Sequence, residues 1–139
     1  MPIHWDDVLV KEVMSSPVRT VDRRLALTEA ARILCEERIG SVITEGEPDG
    51  ILTDTDVVRA VKEGLDPEET AVVEAMTSPV VTIPADATVR DAARRMNDHG
   101  IKKLLVTDEG ARVGILTTSD VVAHASPDLD DVIGMFADG

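Results

Sequence analysis

The chain of 139 residues carries 27 acidic and 14 basic side chains, which gives a formal net charge of −13. The length suits one compact fold, while the acidic surface and the near absence of aromatic residues exclude nucleic-acid binding. No apolar run approaches the roughly 20 residues that span a bilayer, and a lone cysteine, Cys35, excludes an intramolecular disulfide. We therefore expect a cytoplasmic protein that binds neither nucleic acids nor membranes.

The chain contains one sequence pattern twice. Residues 14–21, MSSPVRTV, return as 76–83, MTSPVVTI, and residues 50–58, GILTDTDVV, return as 114–122, GILTTSDVV. The offset grows from 62 to 64 residues, which places two extra residues in the second copy near Gly110. A repeat of this length is too long for common solenoids and too short for two ordinary domains, so it predicts two half-domains that share one core.

Each copy is predicted to contain the same elements in the same order. A short helix, at 6–13 or 69–75, precedes an extended Pro-Val-x-Thr segment and an amphipathic helix. Two β-prone segments follow, at 41–44 and 50–53 in the first copy and at 103–107 and 112–116 in the second. A last helix, at 53–62 or 117–125, completes each copy, and residues 64–67 form the linker between them.

The amphipathic helices are defined by their apolar spacing. In the first copy the apolar face consists of Leu27, Ala30, Ala31, Leu34 and Cys35. We expect Cys35 to be a buried or half-buried packing residue of this face and not a reactive thiol. The second copy repeats the spacing with Val89, Ala92, Ala93 and Met96, with Thr88 and Asp91 as a capping signal and Gly100 as a stop.

These elements predict an α+β fold of two βαββα units, with domain 1 at 8–64, domain 2 at 70–126 and a tail at 127–139. The tail has apolar residues at helical spacing, namely Leu129, Val132, Ile133 and Phe136, and we expect a short helix that packs on the body or on a partner. A three-stranded sheet cannot cover its own apolar face. We therefore expect a pseudo-twofold pair with the sheets packed together, the helices outside and two ligand crevices at the seam.

One motif, Thr-x-x-Asp, stands at the start of the last helix in both copies. Thr53 with Asp56, and Thr117 with Asp120, have the spacing of an N-cap and an N3 residue. One interpretation is a capping box alone. The other is that the threonine and the helix N-terminus receive a phosphate while the carboxylate accepts hydrogen bonds from a ribose diol. The two interpretations are compatible with each other.

The ordered set of motifs resembles a tandem pair of CBS domains, the regulatory module named after cystathionine β-synthase, over about residues 8–125. The resemblance rests on Met-x-x-Pro-Val, the Ala-Ala helix, Gly-Ile or Arg-Ile before the second strand, and Gly-Ile-Leu-Thr-x-x-Asp, each present twice. It implies two ligand sites, each combining the Thr-x-x-Asp of one copy with strands of the other. Site A would contain Ile51, Thr53, Asp56, Val80, Val81, Ile101, Lys102 and Lys103. Site B would contain Met14, Val18, Arg19, Ile39, Gly40, Ser41, Ile115, Thr117 and Asp120.

The resemblance also implies a role for each kind of residue. In site A, Asp56 would hold ribose, Thr53 and the paired lysines would face phosphate, and the apolar residues would enclose adenine. Site B has Gly40-Ser41 where site A has Lys102-Lys103, so Arg19 is its only obvious cation. Because the chain is so acidic, we expect site A to take the more phosphorylated ligand and site B to take AMP, adenosine or nothing.

We expect a regulatory sensor that binds adenosyl ligands (AMP, ADP, ATP or S-adenosylmethionine), requires no cofactor and signals to an unknown partner protein. The exposed helices resemble the family's dimerisation surface, which implies a homodimer. No catalytic or metal-ligand spacing emerges from the sequence, and His4, His99 and His124 fit surface or capping positions, so we do not expect an enzyme. The alternative is a ligand-free structural module for dimerisation or interaction.

Overall fold

The computed structural model describes residues 8–46 and 49–124, and within them the fold is α+β, as predicted. The elements before residue 64 are α1 (Val10–Val13), β1 (Thr20–Val21), α2 (Leu27–Glu37), β2 (Ser41–Thr44), β3 (Ile51–Thr53) and α3 (Asp54–Lys62). The later ones are α4 (Val72–Ala75), β4 (Thr82–Pro84), α5 (Val89–His99), β5 (Lys103–Asp108), β6 (Ala111–Thr117) and α6 (Thr118–His124). The predicted order of elements is confirmed in both copies, while the tail at 127–139 lies outside the described residues.

The chain divides into two compact units that are interleaved in sequence. The continuous unit is Arg19–Val80, and the split unit combines residues 8–18 with residues 81–124 of the described chain. The short helix α1 therefore belongs to the unit built from the second copy, and α4 belongs to the unit built from the first. The compact units therefore have different boundaries from the two sequence copies, which were predicted at 8–64 and 70–126.

The continuous unit is organised around a three-stranded sheet with the order β1-β2-β3. The pair β1 and β2 is parallel, joined by the crossover helix α2, and the pair β2 and β3 is antiparallel. Its core is formed by apolar residues from all these elements and from α4: Val21, Leu27, Ala30, Leu34, Val42, Leu52, Ala60 and Val72. Helix α4 is fixed to this unit by the Val72 amide, which donates to the Leu25 carbonyl at 2.9 Å.

The split unit repeats this arrangement with the sheet order β4-β5-β6. Its core combines residues of α1 with residues of the second copy: Val8, Val10, Val13, Ile83, Ala85, Val89, Ala92, Ala93, Met96, Leu104, Val106, Leu116 and Val121. The Val10 amide donates to the Ala87 carbonyl at 2.8 Å, which fixes α1 beside α5. All four predicted apolar positions of α5 are buried, Thr88 caps the helix and Gly100 ends it in the left-handed conformation, so these predictions are confirmed.

The hairpin formed by β5 and β6 distinguishes this unit from the continuous unit. Strands β5 and β6 are longer than their counterparts in the continuous unit. The turn between them has positive φ at both Glu109 and Gly110, a backbone form that suits the right-handed twist of the flanking strands. The two extra residues of the second copy lie in this longer hairpin.

The prediction for Cys35 was wrong, since its side chain is exposed in the structure. The buried face of α2 is centred on Leu27, Ala30 and Leu34, and partial burial extends from it towards Ile33. At 100° per residue, Cys35 lies roughly 110° from the centre of that face, on the side away from Ile33. Apolar spacing located the helix correctly but extended its buried face too far, to Cys35.

Candidate functional site

The Thr-x-x-Asp motif of the first copy forms a complete capping box at the start of α3. The Asp56 amide donates to Thr53 Oγ1 at 3.3 Å, and Asp56 Oδ2 accepts from the Thr53 amide at 2.9 Å. The Thr53 hydroxyl also donates to Asp56 Oδ2 at 3.1 Å. Asp56 is only 5% exposed, so these bonds hold a nearly buried carboxylate in one orientation.

The second carboxylate oxygen of Asp56 also has a partner. Arg59 lies one turn further along α3, and its Nη1 donates to Asp56 Oδ1 at 3.0 Å. The Arg59 side chain is 53% exposed, so its guanidinium lies at the surface beside the buried carboxylate. The pair places a cation directly at the predicted ribose-binding group.

The second copy has the same box at the start of α6 without the arginine. The Asp120 amide donates to Thr117 Oγ1 at 3.1 Å, and Asp120 Oδ2 accepts from the Thr117 amide at 2.9 Å. The position that corresponds to Arg59 is Ala123. The capping interpretation is thus confirmed in both copies, and the two carboxylates differ in their remaining hydrogen bonds.

In each unit a methionine segment lies beside the strand that leads into the motif. In the continuous unit Ile51 and Thr77 exchange backbone hydrogen bonds of 3.0 and 2.9 Å, and in the split unit Ser15 and Ile115 exchange two of 2.9 Å. The methionine that begins each segment packs on the glycine that begins the strand, Met76 on Gly50 and Met14 on Gly114. The Met-x-x-Pro of one sequence copy is thereby joined to the Gly-Ile-Leu-Thr of the other.

The predicted site residues are divided between the units. The continuous unit brings together four residues of site A and four of site B: Ile51, Thr53, Asp56 and Val80, and Arg19, Ile39, Gly40 and Ser41. The split unit holds the others: Val81, Ile101, Lys102 and Lys103 of site A, and Met14, Val18, Ile115, Thr117 and Asp120 of site B. The apolar members of both sets are all partly buried.

The register within each unit pairs residues of the two predicted sites. Lys103 lies opposite Thr117 in the β5–β6 pair, and Ser41 lies opposite Thr53 in the β2–β3 pair. The Thr118 amide donates to the Lys102 carbonyl at 3.0 Å. In the split unit, the two lysines predicted for site A are therefore neighbours of the Thr-x-x-Asp predicted for site B.

The cation predicted for site B is engaged by a carboxylate of its own unit. Arg19 Nε lies 3.1 and 3.0 Å from the two carboxylate oxygens of Glu37, and Arg19 Nη1 donates to the Thr20 carbonyl at 2.9 Å. Since both side chains are nearly half exposed, this is an ordinary surface ion pair. The positive charge of Arg19 is therefore largely balanced by Glu37.

Sequence reasoning missed Arg59 and Glu37 as neighbours of the site. The spacing of Arg59 three residues after Asp56 is a known helix-pair signal and was available in the sequence. Glu37 lies 18 residues from Arg19, and no local pattern connects them. Among residues 8–46 and 49–124, no cluster of three or more side chains suited to a metal ion occurs, and no helix is long and apolar enough to cross a membrane.

Comparison with known proteins places these features in a family. The family model of the CBS domain matches the chain twice, at residues 10–63 and 72–126. An uncharacterized protein of Methanopyrus kandleri is 36% identical over 120 residues, which are 83% of this chain and 61% of that protein. The chain thus spans about three fifths of the length of that relative.

Two solved structures are similar in fold. The CBS domain pair of protein MJ0100, in complex with 5′-methylthioadenosine and S-adenosyl-L-methionine, shares 30% identity at a TM-score of 0.74, with 84% of this chain and 94% of that one covered. A hexameric CBS-CP12 protein from bloom-forming cyanobacteria shares 26% identity at a TM-score of 0.80, with 86% and 72% covered. With two matched domains and the predicted motifs in both units, the chain belongs to the CBS domain family.

Proposed function

We propose that this CBS pair is a cytoplasmic regulatory module that binds an adenosyl ligand (AMP, ADP, ATP or S-adenosylmethionine) and passes the bound state to a partner protein. The observation that carries the proposal is the buried Asp56 carboxylate, which its own capping box holds in a fixed orientation. A fixed acceptor in the first turn of a helix suits a ribose diol. The complex of the MJ0100 pair with two adenosyl compounds supports this ligand class.

We assign the ligand contacts to the two residue sets predicted from the sequence. Asp56 and Asp120 would bind the ribose of sites A and B, and the partly buried apolar residues of each set would enclose the adenine. Lys102 and Lys103 would contact phosphate in site A, as the family resemblance implies. We accordingly propose that the ligand held by the lysines is the more phosphorylated one. Regulation then requires only that the ligand bind one conformational state of the module more tightly than another.

The test is thermal unfolding with AMP, ADP, ATP and S-adenosylmethionine, followed by calorimetry. A ligand at 100 times its dissociation constant should stabilise the protein by about 2.7 kcal/mol. Asp56→Ala and Asp120→Ala should each remove one binding event. Asp54→Ala is the matched control, because Asp54 is an exposed carboxylate in the same helical turn as Asp56.

Loss of phosphate-dependent affinity in the double variant Lys102→Ala, Lys103→Ala would support the lysine assignment. Repeating that measurement in the Asp56→Ala and Asp120→Ala backgrounds tells which carboxylate shares a ligand with the lysines. No thermal shift with any of these compounds would contradict the proposal and favour the alternative, a ligand-free module for dimerisation or interaction.

We further propose that the module self-associates as a homodimer through the exposed face of α3. Val58 and Val61 are 67% and 57% exposed there, and Leu65, 40% exposed, continues the stripe after the helix. Large exposed apolar patches on a small protein are typical of association surfaces. Val58→Glu with Val61→Glu should halve the mass measured by light scattering; a wild-type monomer would contradict the proposal, and a hexamer would replace the dimer by a larger assembly.

A further inference from the structure

The two copies of the Thr-x-x-Asp motif differ in how much hydrogen-bonding capacity their carboxylates retain. Asp56 accepts three hydrogen bonds inside the continuous unit, two at Oδ2 from Thr53 and one at Oδ1 from Arg59. A carboxylate has about four lone-pair sites in total. Oδ2 is thereby filled, and one site remains at Oδ1.

The carboxylate of Asp120 accepts fewer hydrogen bonds than that of Asp56. Within the described residues of the split unit, the hydrogen bond given to its carboxylate is the one from the Thr117 amide to Oδ2 at 2.9 Å. The alanine at position 123 has no group that can reach Oδ1. Asp120 is also more exposed than Asp56, so three of its roughly four acceptor sites face other groups or solvent.

This difference matters for a ribose diol, which donates two O–H groups at once. Asp120 can accept both without losing a bond. Asp56 can accept both only if the Arg59 N–H leaves Oδ1. A ligand at Asp56 must therefore displace a charge-assisted hydrogen bond, while a ligand at Asp120 displaces none.

The displaced guanidinium would remain beside the ligand, because Arg59 is anchored on α3 one turn from Asp56 and its side chain is half exposed. A phosphate on the ligand gives that cation a new anionic partner, whereas adenosine leaves it with solvent alone. We propose that Arg59 is a specificity residue that makes the Asp56 site selective for phosphorylated adenosyl ligands, while Ala123 leaves the Asp120 site open to uncharged ones. This inference rests on the proposed function, because it concerns the same ribose-binding carboxylates.

The experiment exchanges the two residues and measures AMP and adenosine binding by calorimetry. The Asp56 site is isolated in an Asp120→Asn background and then tested with Arg59→Ala, which copies position 123. The Asp120 site is isolated in an Asp56→Asn background and tested with Ala123→Arg, which copies position 59. Position 123 is exposed, so an arginine fits there without repacking.

Arg59→Ala should weaken AMP binding and strengthen adenosine binding, each by about fivefold, so that the preference for AMP falls by about 25-fold. Ala123→Arg should raise the preference for AMP at the Asp120 site. Lys62→Ala is the control, since it removes an equal charge from the exposed surface of the same helix and should leave the adenosine affinity unchanged. Arg59→Lys should keep most of the AMP preference, because it keeps the cation.

The outcomes separate the two proposals. If neither compound binds the wild-type protein, the proposed function and this inference both fail. If AMP binding requires Asp56 but Arg59→Ala leaves the ratio of the two affinities unchanged, only the role of Arg59 is overturned. If Arg59→Ala weakened the binding of AMP and of adenosine equally, the role of Arg59 would also be overturned, because that pattern indicates an arginine that only stabilises the helix.

Discussion

A Val10→Asp substitution should unfold the split unit, although Val10 belongs to the first sequence copy. The Val10 side chain is fully buried in a core otherwise made largely by residues of the second copy. An unpaired carboxylate in such a core costs several kcal/mol, which is comparable to the whole stability of a small domain. Hydrogen exchange followed by mass spectrometry should show the amides of β5 and β6 losing protection before those of β2.

Two variants make this prediction specific. Lys11→Asp adds negative charge at an exposed position of the same helix and should leave exchange unchanged. Val72→Asp is the reciprocal change, because Val72 of α4 is fully buried in the continuous unit, and it should expose β2 before β5. If Val10→Asp instead removed protection from β2 first, the assignment of α1 to the split unit would be wrong.

The elements of both copies were predictable because each rests on a local signal. The apolar spacing of Val89, Ala92 and Met96 defines a helix whatever lies around it, and Gly100 ends it. The Thr53 and Asp56 spacing likewise predicted the capping box that the structure contains. Duplication strengthened every one of these signals, since a chance motif is not expected to recur in the same order.

What sequence reasoning missed depends on contacts between distant segments. The periodicity of α1 shows an apolar face but not which core receives it, and its hydrogen bonds to Ala85 and Ala87 join residues about 75 apart. The ion pair of Arg19 with Glu37 crosses from the start of β1 to the end of α2. Site residues were carried over from a family resemblance, which names positions but not the additional partners, such as Arg59, that this chain supplies.

Gly114→Ala should destabilise the protein more than Gly50→Ala, although the two glycines occupy equivalent places in the repeat. The three atoms nearest to a Cβ at Gly50 would all belong to the Met76 side chain, namely Sδ, Cε and Cγ. A Cβ at Gly114 would overlap the Met14 side chain and also lie 2.9 Å from the Ser15 carbonyl oxygen. That oxygen accepts the Ile115 amide, so it cannot move away without breaking the backbone bridge.

Overpacking of this kind costs about 1 kcal/mol where a flexible side chain can shift and about 3 kcal/mol where backbone must move. Urea unfolding of the two variants measures the difference. In a Met76→Ala background Gly50→Ala should cost much less, because the side chain that supplies the three nearest atoms is gone. In a Met14→Ala background Gly114→Ala should still destabilise, since the Ser15 carbonyl remains, and equal relief in both backgrounds would show that methionine alone requires these glycines.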